Sequence, residues 1–263
     1  MMKISFENKN ALVGGSTQGL GKAIAVHLAE CGANVTLMSR NEAKLKKVLQ
    51  ELNTDSGQKH SFVEVDFYDL EGFKKKVSGF LKNHPVHILV NNTNGPEAGS
   101  VLEKRLPDFQ KAFDLLFQTV CFTTLEVLPS MQKNKFGRII NVSSLSVKEP
   151  IQNLVLSNTI RIALTSWAKA LATEVAKDNI TVNSILTGNF DTERLNHLIT
   201  LQAESKNVSE EEIRESRINA IPMKRFGRPI EYAYLAAFLA SEYASYITGT
   251  NIPIDGGMMK SLA

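Results

Sequence analysis

The sequence has little of what proteins use to build metal centres or to bind polyanions. Only two of its 263 residues are cysteine, Cys31 and Cys121, and they lie far apart. Neither a disulfide framework nor a metal site is therefore expected. Lysine and arginine outnumber aspartate and glutamate only by 30 to 27, which leaves no basic surface for nucleic acid or an anionic membrane.

Long apolar runs are also missing. No stretch approaches the ~20 consecutive apolar residues that span a bilayer, and the opening MMKISFENKN carries no apolar signal core. We therefore expect a soluble cytoplasmic protein with no membrane partner. Because 43% of the residues are hydrophobic, the chain can bury a large core as a single domain over residues 1–263.

What is present is a regular alternation of short β-branched runs with longer segments of helical period. This pattern predicts an α/β fold, a three-layer, Rossmann-like, doubly wound parallel sheet of about seven strands. The predicted strands are 11–13, 34–38, 61–65, 86–90, 138–142, 181–185 and 251–254. The predicted helices are near 20–31, 41–53, 70–83, 106–133, 155–177 and 229–241.

Residues 188–228, which we call the flap, interrupt this rhythm with a long polar stretch. Ser209 followed by Glu212 forms a capping-box pattern, so a surface helix is expected to begin there. Such an excursion over the carboxyl edge of a sheet is typical of a substrate cover, with an ordinary surface insertion as the alternative.

The first strand leads into a glycine loop, residues 14–21, and then into a helix. Glycines at this position allow a tight turn and a close approach to a pyrophosphate, whose charge the helix N-terminus stabilises. The whole loop is therefore a candidate cofactor site: Gly15, Ser16, Thr17, Gln18, Gly19, Leu20 and Gly21.

The second strand ends in Ser39-Arg40, where a carboxylate would be expected for NAD. A guanidinium matches a phosphate dianion in charge and geometry, so NADP(H) is favoured over NAD(H). The alternative is that Arg40 merely lies in solvent. Asp66 with Phe67, and the turn from Asn91 to Thr93, follow later strands where the adenine and a ribose would lie.

Ordered motifs along nearly the whole chain carry a resemblance to a known family. The motifs are GGSTQGLG, VNNTNG, GRIINVSS, ALATEVAKDNITVNSI, DT at 191–192, GRPIE and YITGTNIPIDGG. The sequence resembles the short-chain dehydrogenase/reductase family, particularly its 3-oxoacyl-acyl-carrier-protein reductase-like members. This resemblance implies a nicotinamide cofactor, a small-molecule or acyl-carrier-linked substrate, and a homo-oligomer, tetramer or dimer, built on the long central helices.

The resemblance also implies roles for particular residues. Gly15, Gly19, Gly21, Asp66 and Asn91 would hold the cofactor. Thr192 would lie near its carboxamide and diphosphate, and Gly188 is included in the same site.

The family's catalytic tetrad of Ser, Tyr, Lys and Asn is degenerate. Alignment on the shared motifs keeps the serine as Ser144 but places Ser157, Arg161 and Leu116 at the Tyr, Lys and Asn positions. Gly14 and the pair Thr93-Asn94 depart from the family pattern as well. No tyrosine lies between Tyr68 and Tyr232, so the phenol has not moved along its helix.

These replacements retain a positive charge but remove the acid. A serine hydroxyl is a far weaker acid than a tuned phenol, and arginine stays protonated. Ser157 and Arg161, four residues apart, should face the same way on a helix. We expect Ser144, Ser157 and Arg161 to be the catalytic residues of an NADP(H)-dependent oxidoreductase. The alternatives are an inactive NADP-binding sensor or scaffold, and a protein whose nucleotide pocket is lost.

Overall fold

The predicted alternation folds into one sheet of seven parallel strands flanked by helices. The computed structural model describes residues 3–261. The strands are β1 (Asn10–Gly14), β2 (Asn34–Ser39), β3 (Ser61–Glu64), β4 (Ile88–Asn91), β5 (Gly137–Ser144), β6 (Ile180–Thr187) and β7 (Asn251–Ile254). The helices are α1 (Gly19–Glu30), α2 (Glu42–Glu51), α3 (Leu70–Leu81), α4 (Leu106–Phe113), α5 (Thr119–Asn134), α6 (Val155–Val175), α7 (Glu193–Lys206), α8 (Glu210–Ala220) and α9 (Pro229–Ala240).

The strand order β3-β2-β1-β4-β5-β6-β7 confirms the doubly wound topology. The winding reverses between β1 and β4, and loops diverging from that point leave a crevice at the carboxyl edge of the sheet. The register pairs Asn91 with Asn141 and Ser144 with Thr187. The ends of β4, β5 and β6 therefore lie side by side at this crevice.

Two apolar clusters cover the two faces of the sheet. On one face α1 and α9 pack closely, with Ile24 and Ala236 fully buried. On the other face, Phe73 of α3 and Ile160 of α6 are buried together with Leu115, which lies between α4 and α5. Both faces are apolar because a parallel sheet is covered by helices on each side.

Residues 106–134 form one continuous helical segment with a π-helical turn, Asp114–Gln118, between α4 and α5. By length and mean hydropathy, 1.2 over its most apolar window, this segment could cross a membrane. It is not the uninterrupted apolar run that was expected to be absent, since Asp114, Gln118 and Glu126 interrupt it. In the fold 56% of the window is buried, as in the core helix of a soluble protein.

The flap contains two helices, of which only α8 was expected. Ser209 begins α8 as predicted, since its Oγ accepts a hydrogen bond from the Glu212 N–H at 3.2 Å. The additional helix, α7, begins at Thr192, whose Oγ1 accepts from the Leu195 N–H at 3.3 Å. Leu195, Ile199 and Ile213 form a small apolar cluster between the two helices.

Candidate active site

The glycine loop is shaped by backbone conformations and contacts that exclude larger residues. Gly15 and Gly19 have φ angles of +54° and +55°, which L-residues with a side chain rarely adopt. A Cβ at Gly21 would lie 2.3 Å from the Gly15 carbonyl oxygen. The loop therefore packs α1 directly against the end of β1.

The N-terminus of α1 suits an anion such as a diphosphate. Gln18 precedes the helix, and its side chain does not cap the first-turn N–H groups. These N–H groups and the helix dipole together favour negative charge. The residues of the loop thus fit the diphosphate of a dinucleotide, with Gly19 allowing its close approach.

Two hydroxyls of the loop bind β2 instead of pointing into the crevice. Ser16 is fully buried, and its Oγ accepts a hydrogen bond from the Met38 N–H at 3.0 Å. Its side chain therefore fixes the loop, and the contact of Ser16 with a cofactor stays a prediction for its main chain. The Thr17 and Ser39 hydroxyls lie 3.1 Å apart, which links the loop to the end of β2.

Beyond β2 and β3 the structure leaves Arg40 and Asp66 exposed. No carboxylate among residues 3–261 pairs with Arg40. Asp66 accepts a hydrogen bond from the Tyr68 N–H at 3.0 Å. Phe67 instead points inward, 8% exposed, and packs against Phe73.

The two asparagines after β4 have different partners. Asn91 is buried, and its amide donates to Thr124 Oγ1 at 3.1 Å and to Asn141 Oδ1 at 2.9 Å. Its amide N–H groups are thus used inside the fold. Asn92 donates to the carbonyl oxygens of Gly14 and Gly15 at 3.0 and 3.3 Å, a link to the glycine loop that sequence reasoning missed.

A shallow recess lies between the ends of β1, β2 and β4 and helix α5. It is bordered by several predicted cofactor residues. Its lining comprises Gly14, Met38, Phe67, Asn91, Asn92, Thr93, Thr119, Val120 and Thr123. Thr93 is half-buried and donates to the Asn94 carbonyl at 3.2 Å.

The three predicted catalytic residues lie at the ends of β5 and α6. Ser144 is half-buried at the end of β5, with its Oγ accepting from the Ser146 N–H at 3.1 Å. Arg161 donates through Nε to Ser157 Oγ at 3.2 Å and through a terminal nitrogen to the Val142 carbonyl at 2.7 Å. The expectation that Ser157 and Arg161 share a helix face is confirmed.

Burial lowers the pKa of Arg161 to about 10, with the nearby charge of Arg194 acting in the same direction. The guanidinium therefore remains protonated near neutral pH. A fixed cation held against a main-chain carbonyl can stabilise developing negative charge, but it cannot exchange protons there.

Two phenols lie near the arginines of this site. Tyr68 is exposed and close enough to Arg194 for their charges to interact. Tyr232 lies close enough to Arg161 for their charges to interact, but it is 0% exposed in the apolar core. Its hydroxyl donates to the Ile185 carbonyl at 3.3 Å and accepts from Thr187 Oγ1 at 3.1 Å. Leu116 lies in the π-helical turn, buried and without a polar group.

The flap meets the glycine loop at Thr192. A Cβ at Gly19 would lie 3.5 Å from Thr192 Cγ2, so this threonine covers the loop. Gly188 serves a different contact, because a Cβ there would lie 2.7 Å from the Asp255 Cα. Its lack of a side chain allows β6 to end close to the chain that follows β7.

The fold and the glycine loop define a doubly wound protein with a dinucleotide-type crevice. A family model described as enoyl-(acyl carrier protein) reductase matches residues 15–259. The chain is 31% identical over 258 residues to the NADPH-dependent reductase BacG of Bacillus subtilis, covering 97% of this chain and 99% of that protein. It is 32% identical over 258 residues to the 3-oxoacyl-[acyl-carrier-protein] reductase FabG of Aquifex aeolicus, covering 98% and 100%.

A solved structure is similar to the same extent. The L-sorbose reductase of Gluconobacter frateurii, in complex with NADPH and L-sorbose, superposes with a TM-score of 0.92 at 30% identity, covering 99% of this chain and all of that one. The chain belongs to the short-chain dehydrogenase/reductase family of oxidoreductases, and it resembles the 3-oxoacyl-acyl-carrier-protein reductases within it.

Proposed function

We propose that this protein is an NADP(H)-dependent oxidoreductase that acts on a carbonyl or alcohol group, of 3-oxoacyl reductase-like type, with an atypical active site. One observation carries the proposal. The Arg161 guanidinium is hydrogen-bonded to both Ser157 and the β5 main chain, beside Ser144 and at the same edge as an uncapped glycine loop. Relatives named as NADPH-dependent or crystallised with NADPH support the choice of cofactor.

A dinucleotide bound at the glycine loop would supply or accept the hydride. Ser144 Oγ donates a hydrogen bond to the substrate oxygen. Arg161 binds ribose hydroxyls through its remaining N–H groups and stabilises the negative charge that develops on the oxygen. Ser157 relays the proton from water, since its Oγ already accepts a hydrogen bond from Arg161. The flap covers the substrate.

The absence of a tuned phenol sets the expected scale of activity. A positioned general acid contributes about 10²–10⁴-fold to a rate, so turnover is expected to be slow. Positioning of the reactants and electrostatic stabilisation of the transition state would supply the rest of the rate enhancement. Slow reduction of a small-molecule or acyl-carrier-linked carbonyl is therefore physically reasonable.

NADPH fluorescence titration followed by NADPH oxidation across a panel of carbonyl compounds tests the function. We expect binding and slow, carbonyl-dependent oxidation, reduced at least about tenfold by Ser144→Ala through loss of a hydrogen bond to a charged transition state. Tight binding without any oxidation would instead indicate an NADP-binding sensor or scaffold. Absence of binding would mean that the departures at Gly14 and Thr93-Asn94 have removed the nucleotide site.

The preference for NADP(H) has its own test at Arg40. Replacing Arg40 with Asp should weaken NADPH binding by about tenfold or more and leave NADH binding less affected, because a phosphate loses its cation and meets a like charge. Arg40→Ala separates these two effects. If Arg40→Asp weakened the binding of NADPH and NADH equally, Arg40 would not bind the phosphate that distinguishes them.

A further inference from the structure

Arg194 is a half-buried cation that joins the flap to the body of the protein. It lies in the first turn of α7, two residues after Thr192. A terminal nitrogen of its guanidinium donates to the Pro96 carbonyl at 2.9 Å. A Cβ at Gly95 would lie 3.0 Å from the same guanidinium. Arg194 therefore reaches from the flap over the loop that follows β4.

Arg161 lies at the same edge of the sheet. It is anchored to the Val142 carbonyl, one residue beyond the Asn141 that pairs with Asn91. The loop carrying Pro96 then continues to Gly99, whose N–H donates to the Asn153 carbonyl at 2.7 Å, just before α6. Arg161 of α6 and Arg194 of α7 thus both lie at this edge of the sheet, close enough for their charges to interact.

In the described part of the chain, neither cation forms an ion pair with a carboxylate, and the ionisable groups near them are the phenols of Tyr232, for Arg161, and Tyr68, for Arg194. No carboxylate among residues 3–261 lies within 4.0 Å of Arg161 or Arg194. By contrast, Glu231 pairs with Arg225, and Glu242 lies 3.7 Å from the buried Arg138. Several N–H groups of the two crevice arginines remain free to donate, since only Val142, Ser157 and Pro96 accept from them.

Their electrostatic state is unfavourable without an anion. Burial lowers the pKa of both guanidiniums, and the charge of Arg194 lowers the pKa of Arg161 further. Two partly desolvated like charges without a counterion are costly in a folded protein. A carboxylate between them would remove this cost and accept charge-assisted hydrogen bonds.

We propose that Arg194, beside the fixed charge of Arg161, forms an anion site that binds a carboxylate of the substrate, close to the carbonyl or alcohol that reacts. This inference rests on the proposed function and specifies its substrate class as oxo or hydroxy acids. The substrate is favoured over the cofactor diphosphate as the ligand because Thr192, not Arg194, faces Gly19 of the glycine loop. The Arg194 guanidinium instead contacts the loop that follows β4.

The test compares 2-oxo and 3-oxo acids with their methyl esters in NADPH oxidation by the whole protein. The wild type should favour the acids. Arg194→Gln should raise KM for an acid by about tenfold to a hundredfold, the loss expected for a charge-assisted hydrogen bond. It should leave KM for the ester and the Kd of NADPH nearly unchanged. Arg194→Lys keeps the charge but loses the paired N–H groups of the guanidinium, so its KM for the acid should lie between those of the wild type and Arg194→Gln.

Arg214→Gln is the matched control. Arg214 is also an arginine of the flap, hydrogen-bonded to Asn196, so this substitution removes the same charge at another position. The inference is overturned if the wild type turns over acids and esters equally, if Arg194→Gln affects both alike, or if that variant weakens NADPH binding instead.

A binding measurement separates this inference from the proposed function. Oxamate, an unreactive carboxylate, is titrated by calorimetry into the NADPH-loaded protein. Oxamate binding that Arg194→Gln abolishes, without turnover of any carbonyl, would support the anion site while contradicting the reductase. Turnover of esters without binding of any acid would support the reductase and overturn the anion site.

Discussion

At the scale of single residues, alignment with the family predicts a cation, Arg161, at the lysine position and no acid at the tyrosine position. Arg161 is held by Val142 and Ser157, so its charge is fixed in place. Ser157 presents a hydroxyl to that charge, but a serine does not approach ionisation near neutral pH. The consequence is a site that can orient and stabilise a reacting oxygen better than it can protonate it.

Restoring the phenol should therefore accelerate the reaction. In Ser157→Tyr, we expect kcat for carbonyl-dependent NADPH oxidation to rise by about 10²-fold or more, because the neighbouring guanidinium would lower the pKa of the new phenol. Steady-state kinetics measure the change. Ser157→Phe is the control of similar size without a hydroxyl, and equal rates in the two variants would contradict the prediction.

At the scale of elements, the end of β1 and the extension of β4 are fitted to one another. A Cβ at Gly14 would lie 2.3 Å from the Asn92 carbonyl oxygen, and the Asn92 side chain donates to Gly14 and Gly15. The departure from the family pattern at Gly14 thus has a structural reason, since the chain after β4 occupies the space a side chain would need. The glycine loop is positioned from β4 as well as from β1.

Gly14→Ala should consequently destabilise the protein by about 1–3 kcal/mol, the usual cost of forcing extra atoms into a packed region. Gly79→Ala is a suitable comparison, because Gly79 lies within α3 and a Cβ there meets nothing within 4 Å. That change should stabilise by about 0.5–1 kcal/mol, as alanine does in a helix. Urea unfolding measures both, and similar effects at the two glycines would refute the account.

The N-terminus of α9 depends on one carboxylate. Glu231 accepts two hydrogen bonds from Arg225, at 2.8 and 2.7 Å, and one from the Arg228 N–H at 2.7 Å. The hydrogen bonds from Arg225, followed by that from the Arg228 main chain, lower the pKa of Glu231 from 4.5 to about 2. A depressed carboxyl pKa stabilises the fold above pH 4.5 and does so less and less as the pH falls toward 2.

Glu231→Gln should accordingly lower the free energy of unfolding at pH 7 by about 1–2 kcal/mol, the range for a lost helix cap with ionic hydrogen bonds. The difference in free energy of unfolding between variant and wild type should become smaller below pH 4.5. Urea unfolding at several pH values measures this difference. Glu211→Gln, an exposed first-turn residue of α8, should show no such difference, and a difference independent of pH would count against the carboxylate.

At the scale of the whole molecule, the flap contacts the carboxyl edge at Gly19 and Pro96, while apolar side chains on the long helices stay exposed. Leu125 of α5 and Ile162 of α6 are 54% and 47% exposed. Exposed apolar side chains on the central helices agree with the homo-oligomer that the family resemblance implies, since burying them against a second copy is favourable. The oligomer remains a prediction.

Ile162→Asp should dissociate that oligomer, because the interface would have to bury an unpaired charge. Size-exclusion chromatography with light scattering gives the mass of the particle. Leu201→Asp serves as the control, since Leu201 is 40% exposed on α7 of the flap. A wild type that is already monomeric, or an Ile162→Asp variant of unchanged mass, would refute the prediction.

The sequence by itself determined the fold and the general nature of the crevice. Apolar runs of strand length separated by helices of crossover length admit few arrangements, and a glycine loop between the first strand and helix fixes where a dinucleotide-type site lies. The seven strands and the shared face of Ser157 and Arg161 follow from such local periodicity. Local rules suffice there because each element forms largely from its own pattern.

Tertiary structure alone decided which side chains face the crevice. Asn92 and Gly14 are 78 residues apart, and Arg194 and Pro96 are 98 apart, so no local pattern reports these contacts. Ser16 and Phe67 were predicted to belong to the cofactor site, yet both side chains are buried against neighbouring elements. Side-chain direction at the edge of a sheet is set by loops that return from distant parts of the chain, and only packing brings those loops together.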